Sequence, residues 1–462
     1  MFEHSNVGVG PKILMVVVYA IVVIFLWAFV RHRIAVKPSG LVHPDWSKNA
    51  TIYEVNLRQY TPEGTFKAFQ QHLPRLKKMG IDILWLMPVN PIGEKNRKGT
   101  LGSYYSVKDF LGINPELGNL DDFRNLVKEA HSLGMKVIID WIANHTSWDN
   151  NLITEHPEWY QHDAEGRIKS PVKDWTDAAG LDYEQPGLRE YMTNALIYWI
   201  NEADIDGYRC DVAGMVPVSF WNEAVPKLKK VKQVFMLAEW ETPEMHDIAF
   251  DATYSFDFYH LMNAIAKGEK SADEIDSLWE KEAENYPLDA YRLRFTSNHD
   301  ENSWNGTEFE RMGNAAQTFA VLTFCVPGIP LVYSGQESAF NKRLKFFDKD
   351  LIIWDDYKLQ PFYTTLINLK KRNAALWNGK AGGQMTKVST DNDKDIYAFT
   401  RIRGPFKLFA VFNLSSRQID VKFLSRNFPG DYTNVFTNEP VSFREESTLT
   451  MKPWEYLVMQ RK

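Results

Sequence analysis

Acidic side chains stand at or just past the ends of several apolar runs of the chain. They are Asp140 in KVIIDWI (136–142), Asp211 in DGYRCDV (206–212), Glu239 in VFMLAEW (234–240) and Asp300 after LRFTSN (293–298). Burying a carboxylate costs free energy unless the group is paired. Any one acid could cap the next helix, but several acids at neighbouring strand ends would meet in one site. Two carboxyl groups in one site suit glycoside hydrolysis.

Arg209 precedes Asp211 by two residues, so both side chains lie on the same face of a strand. The guanidinium should favour the ionised form of Asp211 and be paired in return. Glu239 follows Leu237 and Ala238 and precedes Trp240, an apolar setting that favours a protonated carboxyl group. The residues therefore predict Asp211 as nucleophile and Glu239 as proton donor.

A metal site is the rival use of these acids. They lie far apart in the sequence, and neither an H-E-x-x-H motif nor a Cys/His ligand spacing occurs. We therefore expect no metal or other cofactor to be required for the chemistry, and keep a metal-dependent hydrolase as the alternative.

Eight apolar runs separated by helical patterns predict a (β/α)₈ barrel, in which the carboxyl ends of the strands carry the chemistry. Two predicted helices, 65–80 and 120–134, show one apolar face each. A doubly wound open sheet is the alternative. The predicted strands are 51–57, 81–88, 136–142, 206–212, 234–240, 252–258, 293–298 and 329–335.

We place the barrel at residues 41–378. The pattern also predicts three further segments in addition to the barrel strands and helices. A long, aromatic-rich connection at about 143–186 predicts a small domain inserted after the third strand, because long loops are usually functional or disordered. Short strands and turns over 379–462 predict a C-terminal antiparallel β-sandwich. Residues 1–40 would be an N-terminal membrane anchor and linker.

The anchor prediction rests on the apolar run ILMVVVYAIVVIFLWAFV (13–30), long enough to span a bilayer nearly completely. A cleaved signal peptide is the competing interpretation. By the positive-inside rule, Arg31, Arg33 and Lys37 favour a cytoplasmic location for the chain that follows the span. An anchor would serve an enzyme with external substrates better, so we expect a periplasmic or extracellular catalytic domain. A net charge of −6 argues against nucleic-acid binding.

The chain resembles the α-amylase family of glycoside hydrolases from residue 50 to the end. The family's four motifs occur in order, as DWIANH (140–145), GYRCDVA (207–213), LAEW (237–240) and FTSNHDEN (295–302). The segments GSYYSVKDF (102–110) and PGIPLVYSGQE (327–337) are also similar to family segments.

The resemblance implies retaining hydrolysis of α-glucosidic bonds, mainly α-1,4, in starch-type glucans or maltooligosaccharides. Asp211 would be the nucleophile, Glu239 the acid/base, and Asp300 the third catalytic acid. The implied substrate-binding residues are Tyr105, which would stack under the sugar, and Asp140, His145, Arg209 and His299.

The sequence departs from the family after DVA, where Gly214 and Met215 replace the Lys-His pair of many α-1,4 endo-acting members. This puts the cleavage pattern in question. The family's calcium site uses the asparagine that matches Asn144, but the missing histidine belongs to the same site. The resemblance thus allows calcium without requiring it.

Two other functions stay open at this point. The same site could pass the glycosyl unit to another sugar, which would make the protein an α-glucan transglycosylase. Some membrane-anchored relatives of this fold are transporter subunits without catalytic residues. The intact Asp211, Glu239 and Asp300 argue against that third function.

Overall fold

Eight parallel strands close into a barrel in the computed structural model, which describes residues 40–461. Each strand pairs with its neighbours in the sequence, and β8 pairs with β1, with Leu331 opposite Ile52. The predicted barrel is therefore confirmed. The strands are β1 Ile52–Val55, β2 Ile83–Leu86, β3 Lys136–Trp141, β4 Gly207–Cys210, β5 Phe235–Ala238, β6 Ala252–Tyr254, β7 Tyr291–Arg294 and β8 Ile329–Tyr333.

Helices follow seven of the eight strands, and only a 3₁₀ turn, Pro243–His246, lies between β5 and β6. The predicted helix 65–80 is two helices, because Pro74 supplies no N–H and its ring would clash with the carbonyl of Gln70. The helices are Leu57–Tyr60, Phe66–Gln70, Leu73–Met79, Leu120–Ser132, Leu152–Glu155, Pro186–Ala203, Val218–Val231, Phe256–Ala266, Glu274–Asn285, Glu308–Met312, Ala316–Cys325 and Gln360–Arg372.

Two predicted strands differ in position from the observed ones. The sixth ends at Tyr254, and the residues predicted to extend it begin the helix Phe256–Ala266. The seventh begins at Tyr291, earlier than predicted, because arginines on its outer, helix-facing side concealed the strand pattern. Arg292 and Arg294 are buried and pair with Glu282 at 3.3 and 2.6 Å.

The connection after β3 contains a short two-stranded antiparallel sheet, with His145–Ser147 paired to Ala178–Gly180. The tail of the chain forms antiparallel sheets, as predicted. The six-stranded sheet has the order Gln384–Lys387, Ile396–Arg403, Phe406–Asn413, Tyr456–Arg461, Gly430–Asn434 and Pro440–Phe443. A two-stranded sheet, Ile419–Lys422 with Thr448–Met451, packs against it around the aromatic side chains of Phe409, Phe423 and Phe443.

Arg401 joins the C-terminal sheet to the barrel. Its buried guanidinium donates to the carbonyl oxygens of Cys325 and Val326 at the end of the helix Ala316–Cys325. It also donates to the carbonyls of Trp377 and Gly383. A cation at a helix C-terminus interacts favourably with the helix dipole.

The expected membrane anchor needs correction. Across residues 40–461, no helix is long and apolar enough to cross a bilayer. The predicted span, 13–30, lies outside the described residues. This finding contradicts the prediction of a membrane-anchored protein, and we withdraw it together with the periplasmic or extracellular location that depended on it.

Candidate active site

The predicted acids meet at the carboxyl ends of the barrel strands. Asp140 lies in β3, Asp211 and Glu239 follow β4 and β5 directly, and Asp300 lies beyond β7. A cavity of about 480 Å³ opens at this end of the barrel, and Asp211, Glu239 and Asp300 line it. Carboxyl ends of strands form the active sites of (β/α)₈ enzymes.

Arg209 binds three of the acids at once. Its Nη1 donates to Oδ1 of Asp140 at 2.8 Å and to Oδ1 of Asp211 at 3.0 Å. Its Nη2 lies 2.7 Å from Oε1 of Glu239. The arginine is fully buried, so these carboxylates compensate a charge that would otherwise be very costly.

Aromatic rings enclose the same guanidinium. The centroid of the Trp85 ring lies 5.0 Å from Cζ of Arg209, and those of Tyr105 and Tyr254 lie 5.7 Å away. Such contacts favour a cation, and they leave it few other positions. The rings and the acids therefore hold Arg209 in one place.

Burial sets the direction of the pKa shift at both central acids. Burial raises the pKa of Asp211 well above its usual range, and the neighbouring Glu239 raises it further, whereas Arg209 lowers it. Burial also raises the pKa of Glu239, while Arg209 lowers it and Asp300 raises it. Arg209 thus favours the ionised form of Asp211, but burial and Glu239 outweigh it. Both carboxyl groups hold protons more strongly than exposed ones.

His299 lies in a line of acidic partners beside the cavity. Its Nδ1 is 2.5 Å from Oε1 of Glu54, and its Nε2 is 3.1 Å from Oδ2 of Asp300. Burial lowers the pKa of His299, but Asp300 and Glu54 together raise it well above the usual value. Burial raises the pKa of Asp300, yet the histidine brings it below its usual range. The two acids therefore favour the protonated, cationic form of His299.

Tyr105 connects the histidine to Asp140. Its hydroxyl lies 2.7 Å from Nε2 of His299 and donates to Oδ2 of Asp140 at 3.0 Å. Its ring stacks on that of His299, with the centroids 5.4 Å apart. Tyr105 also lines the cavity.

His145 lines the cavity as well, and it is neutral because burial lowers its pKa to about 4. The Asn144 amide lies 3.3 Å from Nδ1 of this histidine. Over residues 40–461, no group of three or more His, Cys, Asp or Glu side chains could hold a metal ion. No step below uses calcium.

Several residues of the site were not predicted from the sequence. Glu54 could have been found by the rule that found Asp140, since it is an acid in the apolar strand TIYEVNL. The others lie in connections, whose sequences carry no periodic signal. The missed residues that line the cavity include Lys98, Trp175, Asp177, Trp304, Phe346 and Phe347.

Gly214, the first departure from the family pattern, has a structural role. A Cβ atom on Gly214 would lie 2.0 Å from Cε2 of Trp240. The indole that follows Glu239 therefore packs directly on the backbone after β4. A lysine at this position would displace it.

The comparisons with known proteins agree with this fold and site. The family profile described as alpha amylase, catalytic domain, matches residues 41–179 and 172–412. A closed barrel with acids at its carboxyl end is the architecture of a large class of enzymes. Within that class, the chain belongs to the alpha-amylase family.

Two solved structures are similar over nearly the whole described chain. An alpha-amylase from Lactobacillus plantarum is 34% identical, with a TM-score of 0.81, and the match covers 90% of this chain and 100% of that one. A noncanonic maltogenic alpha-amylase from Thermotoga neapolitana is 31% identical, with a TM-score of 0.82, and the match covers 90% of this chain and 99% of that one.

Curated relatives carry two kinds of name. An alpha-amylase of Haloarcula japonica is 28% identical over 350 residues, which is 72% of this chain and 50% of that protein. An alpha-1,4-glucan:maltose-1-phosphate maltosyltransferase of Picrophilus torridus is 26% identical over 435 residues, 86% of this chain and 66% of that protein. The chain thus spans half to two thirds of the length of these two relatives.

Proposed function

We propose that the protein is a retaining glycoside hydrolase that cleaves α-1,4-glucosidic bonds in starch-type glucans or maltooligosaccharides. The observation that carries the proposal is the contact of one buried guanidinium with both Asp211 and Glu239 at the cavity wall. Sharing one partner keeps the two carboxyl groups close. Retaining enzymes need a separation of about 5–5.5 Å, against about 6.5–9.5 Å for inverting ones.

In this proposal Asp211 is the nucleophile and Glu239 is the group that gives and takes protons. Like charges in one buried site resist joint ionisation, so the pair keeps one proton at neutral pH. We assign it to Glu239, because Asp211 must attack as a carboxylate. Once Glu239 is neutral its charge no longer raises the pKa of Asp211, and Arg209 favours the Asp211 carboxylate. Asp211 attacks the anomeric carbon while Glu239 protonates the leaving oxygen, which breaks the glycosidic bond and forms a glycosyl-enzyme. Glu239 then takes a proton from water, and the hydroxide releases the sugar with its configuration retained.

The other residues bind and orient the sugar in this proposal. Asp300 and the His299 cation bind its hydroxyl groups, and Tyr105 stacks under the ring. His145 offers a neutral imidazole at the cavity wall. Asp140 accepts a hydrogen bond from Nη1 of Arg209 at 2.8 Å. It acts through this arginine and is therefore a positioning residue.

Transfer of the glycosyl unit to a sugar is the second candidate. It is favoured by the relatives named as maltosyltransferases, of which the Picrophilus torridus protein matches 86% of this chain. Both reactions use the same glycosyl-enzyme, so they differ only in what attacks it. The replacement of the usual Lys-His pair by Gly214 and Met215 changes the side where an acceptor would bind.

Product analysis tests the proposal and separates the two candidates. Soluble starch, maltooligosaccharides, pullulan and cyclodextrins are incubated with the protein, and reducing ends and chain lengths are measured. Hydrolysis releases reducing ends and gives products with the α configuration at first. Transfer gives chains longer than the substrate without new reducing ends. Products of the β configuration would contradict the retaining mechanism.

Matched variants test the two roles. Asp211→Asn and Glu239→Gln should each lower the rate on maltooligosaccharides by at least ~10³-fold. With an α-glucosyl fluoride, whose leaving group needs no proton, Glu239→Gln should still form a glycosyl-enzyme that mass spectrometry detects, whereas Asp211→Asn should not. Asp121→Asn, an exposed acid on the helix Leu120–Ser132, is the control and should keep full activity.

A further inference from the structure

Three connections of the barrel are fastened to each other at one side of the cavity. They are residues 98–101 after β2, residues 174–177 of the insertion after β3, and residues 347–348 after β8. We call this assembly the three-loop wall. None of its residues belongs to the motifs that carry the catalytic acids.

Lys98 joins the first two connections. Its Nζ donates to the carbonyl oxygen of Asp174 at 2.8 Å and lies 3.0 Å from Oδ1 of Asp177. Asp177 is buried, and its carbonyl accepts a hydrogen bond from Ser106 at 2.8 Å. The same ammonium group lies 5.9 Å from the centroid of the Phe347 ring. Lys98 is therefore at the meeting point of all three connections.

The backbone after Lys98 joins the third connection. The N–H of Leu101 donates to the carbonyl of Phe347 at 3.0 Å, and Thr100 donates twice to Oδ1 of Asp348. Gly99 has φ +61°, and a Cβ atom on it would lie 2.5 Å from Cβ of Phe347. The two connections are thus in direct backbone contact, with no space for a chain to pass between them.

Aromatic rings cover the inner surface of the wall. Phe347 contacts Phe346 and Trp304, with ring centroids 5.1 and 5.8 Å apart. Trp304 lies four residues after Asp300 and is 53% exposed, although it is a large apolar side chain. Phe346 in turn stacks on Tyr105 at 6.1 Å. The rings form a surface that leads from the acids to the wall, and apolar faces of sugar rings bind such surfaces.

The wall lies across the barrel from the proton donor. In the closed order of eight strands, β1 is opposite β5, and β2 and β8 are the neighbours of β1. Glu239 follows β5, and two parts of the wall follow β2 and β8. A leaving group must depart on the side of its proton donor. The glycosyl unit that stays on the enzyme therefore points towards the wall.

We propose that the three-loop wall closes the cleft on the non-reducing side of the cleavage point. The enzyme then binds a glucan by its non-reducing chain end and releases a short product, instead of cutting inside a chain. A cavity of about 480 Å³ is of the size that holds a few sugar rings. This inference rests on the proposed function. It adds to that function which end of the glucan chain the site binds.

A pair of maltoheptaosides tests the inference. Both carry a chromogenic group at the reducing end, and one has its non-reducing glucose blocked by a 4,6-ethylidene group. The native protein should release product from the free chain at least tenfold faster than from the blocked chain. The product length from the free chain should stay constant from the earliest time points.

Variants of the three-loop wall should change the ratio of the rates on the free and the blocked chain. Lys98→Ala and Phe347→Ala should each bring the rate on the blocked chain to within a few fold of that on the free chain. Lys108→Ala is the matched control, because Lys108 pairs with Glu94 at 3.1 Å and with Asp149 of the insertion at 3.5 Å, yet does not line the cavity. It should leave the ratio unchanged. Melting temperatures show whether each variant is folded.

Binding gives a second readout that does not depend on turnover. Glu239→Gln protein should bind the free maltoheptaoside at least tenfold more tightly than the blocked one in calorimetry. Equal cleavage or equal binding of the two chains by the protein with an intact wall would overturn the inference and leave the hydrolase proposal standing. Failure to bind or cleave either chain would overturn both.

Discussion

Nη1 of Arg209 donates to Oδ1 of Asp211 at 3.0 Å, and the pKa of Asp211 is nevertheless raised. Burial and the negative charge of Glu239 outweigh the guanidinium. Arg209 also pairs with Asp140 and Glu239, and the negative charges of these acids oppose its effect on Asp211. The arginine limits the rise of the pKa of Asp211 but does not reverse it.

Removal of Arg209 should therefore move the pH dependence of the reaction. In Arg209→Leu the pKa of Asp211 rises further, so the acidic limb of the kcat/KM profile should shift to higher pH. Arg209→Lys restores a charge without the planar geometry and should reverse only part of the shift. An unchanged acidic limb in folded Arg209→Leu protein, as judged by circular dichroism, would show that the arginine has no electrostatic role.

The basic limb should respond to Glu54. Glu54 and Asp300 raise the pKa of His299, so Glu54→Gln should lower it. The histidine would then lose its proton at a lower pH, and the basic limb of the kcat/KM profile should move down. Glu337→Gln is the control, because Glu337 is equally buried but pairs with Arg75 and Tyr53. A basic limb that moves equally in both variants would contradict the role of Glu54.

The sequence was sufficient to predict the barrel and its acids because both have a local signal. An apolar run with a charged residue at its carboxyl end is visible without the structure, as at Asp140 and Asp211. The same signal was present at Glu54. Tyr291–Arg294 shows the limit, since its arginines made a buried strand resemble a polar segment until their partner Glu282 was known.

The three-loop wall had no such signal. Lys98 and Asp177 are 79 residues apart and meet only because their connections leave adjacent barrel strands. Their sequences lack a hydrophobic period, so nothing along the chain indicates which side chains face the cavity. The raised pKa of Asp211 was equally hidden, because its complete burial is a property of the folded protein, whereas the apolar neighbours of Glu239 in the sequence already indicated a raised pKa there.

The contact between the C-terminal sheet and the barrel should depend on Arg401. In Arg401→Met four carbonyl oxygens lose their donor, which should lower the free energy of unfolding by about 3 kcal/mol, measured with urea. Arg403 lies in the same strand and is exposed, so Arg403→Met should change stability by less than about 0.5 kcal/mol. Equal losses in the two variants would show that the buried contacts contribute nothing specific.

Gly214 should control the position of the proton donor. Since a Cβ atom there would meet the Trp240 indole at 2.0 Å, Gly214→Ala must displace the ring that follows Glu239. A displacement of about 1 Å at a catalytic group can cost about 10²-fold in rate, so kcat on maltooligosaccharides should fall by about that factor.

A double-mutant cycle shows whether Gly214 acts through Trp240. If it does, the variant with both Gly214→Ala and Trp240→Ala should be no slower than Trp240→Ala alone, because the clash has been removed. Gly40→Ala is the control, since a Cβ atom there makes only an ordinary contact of 3.5 Å with Asp247. Additive losses in kcat would mean that the glycine is required for the backbone after β4, and that the indole can move without affecting Glu239.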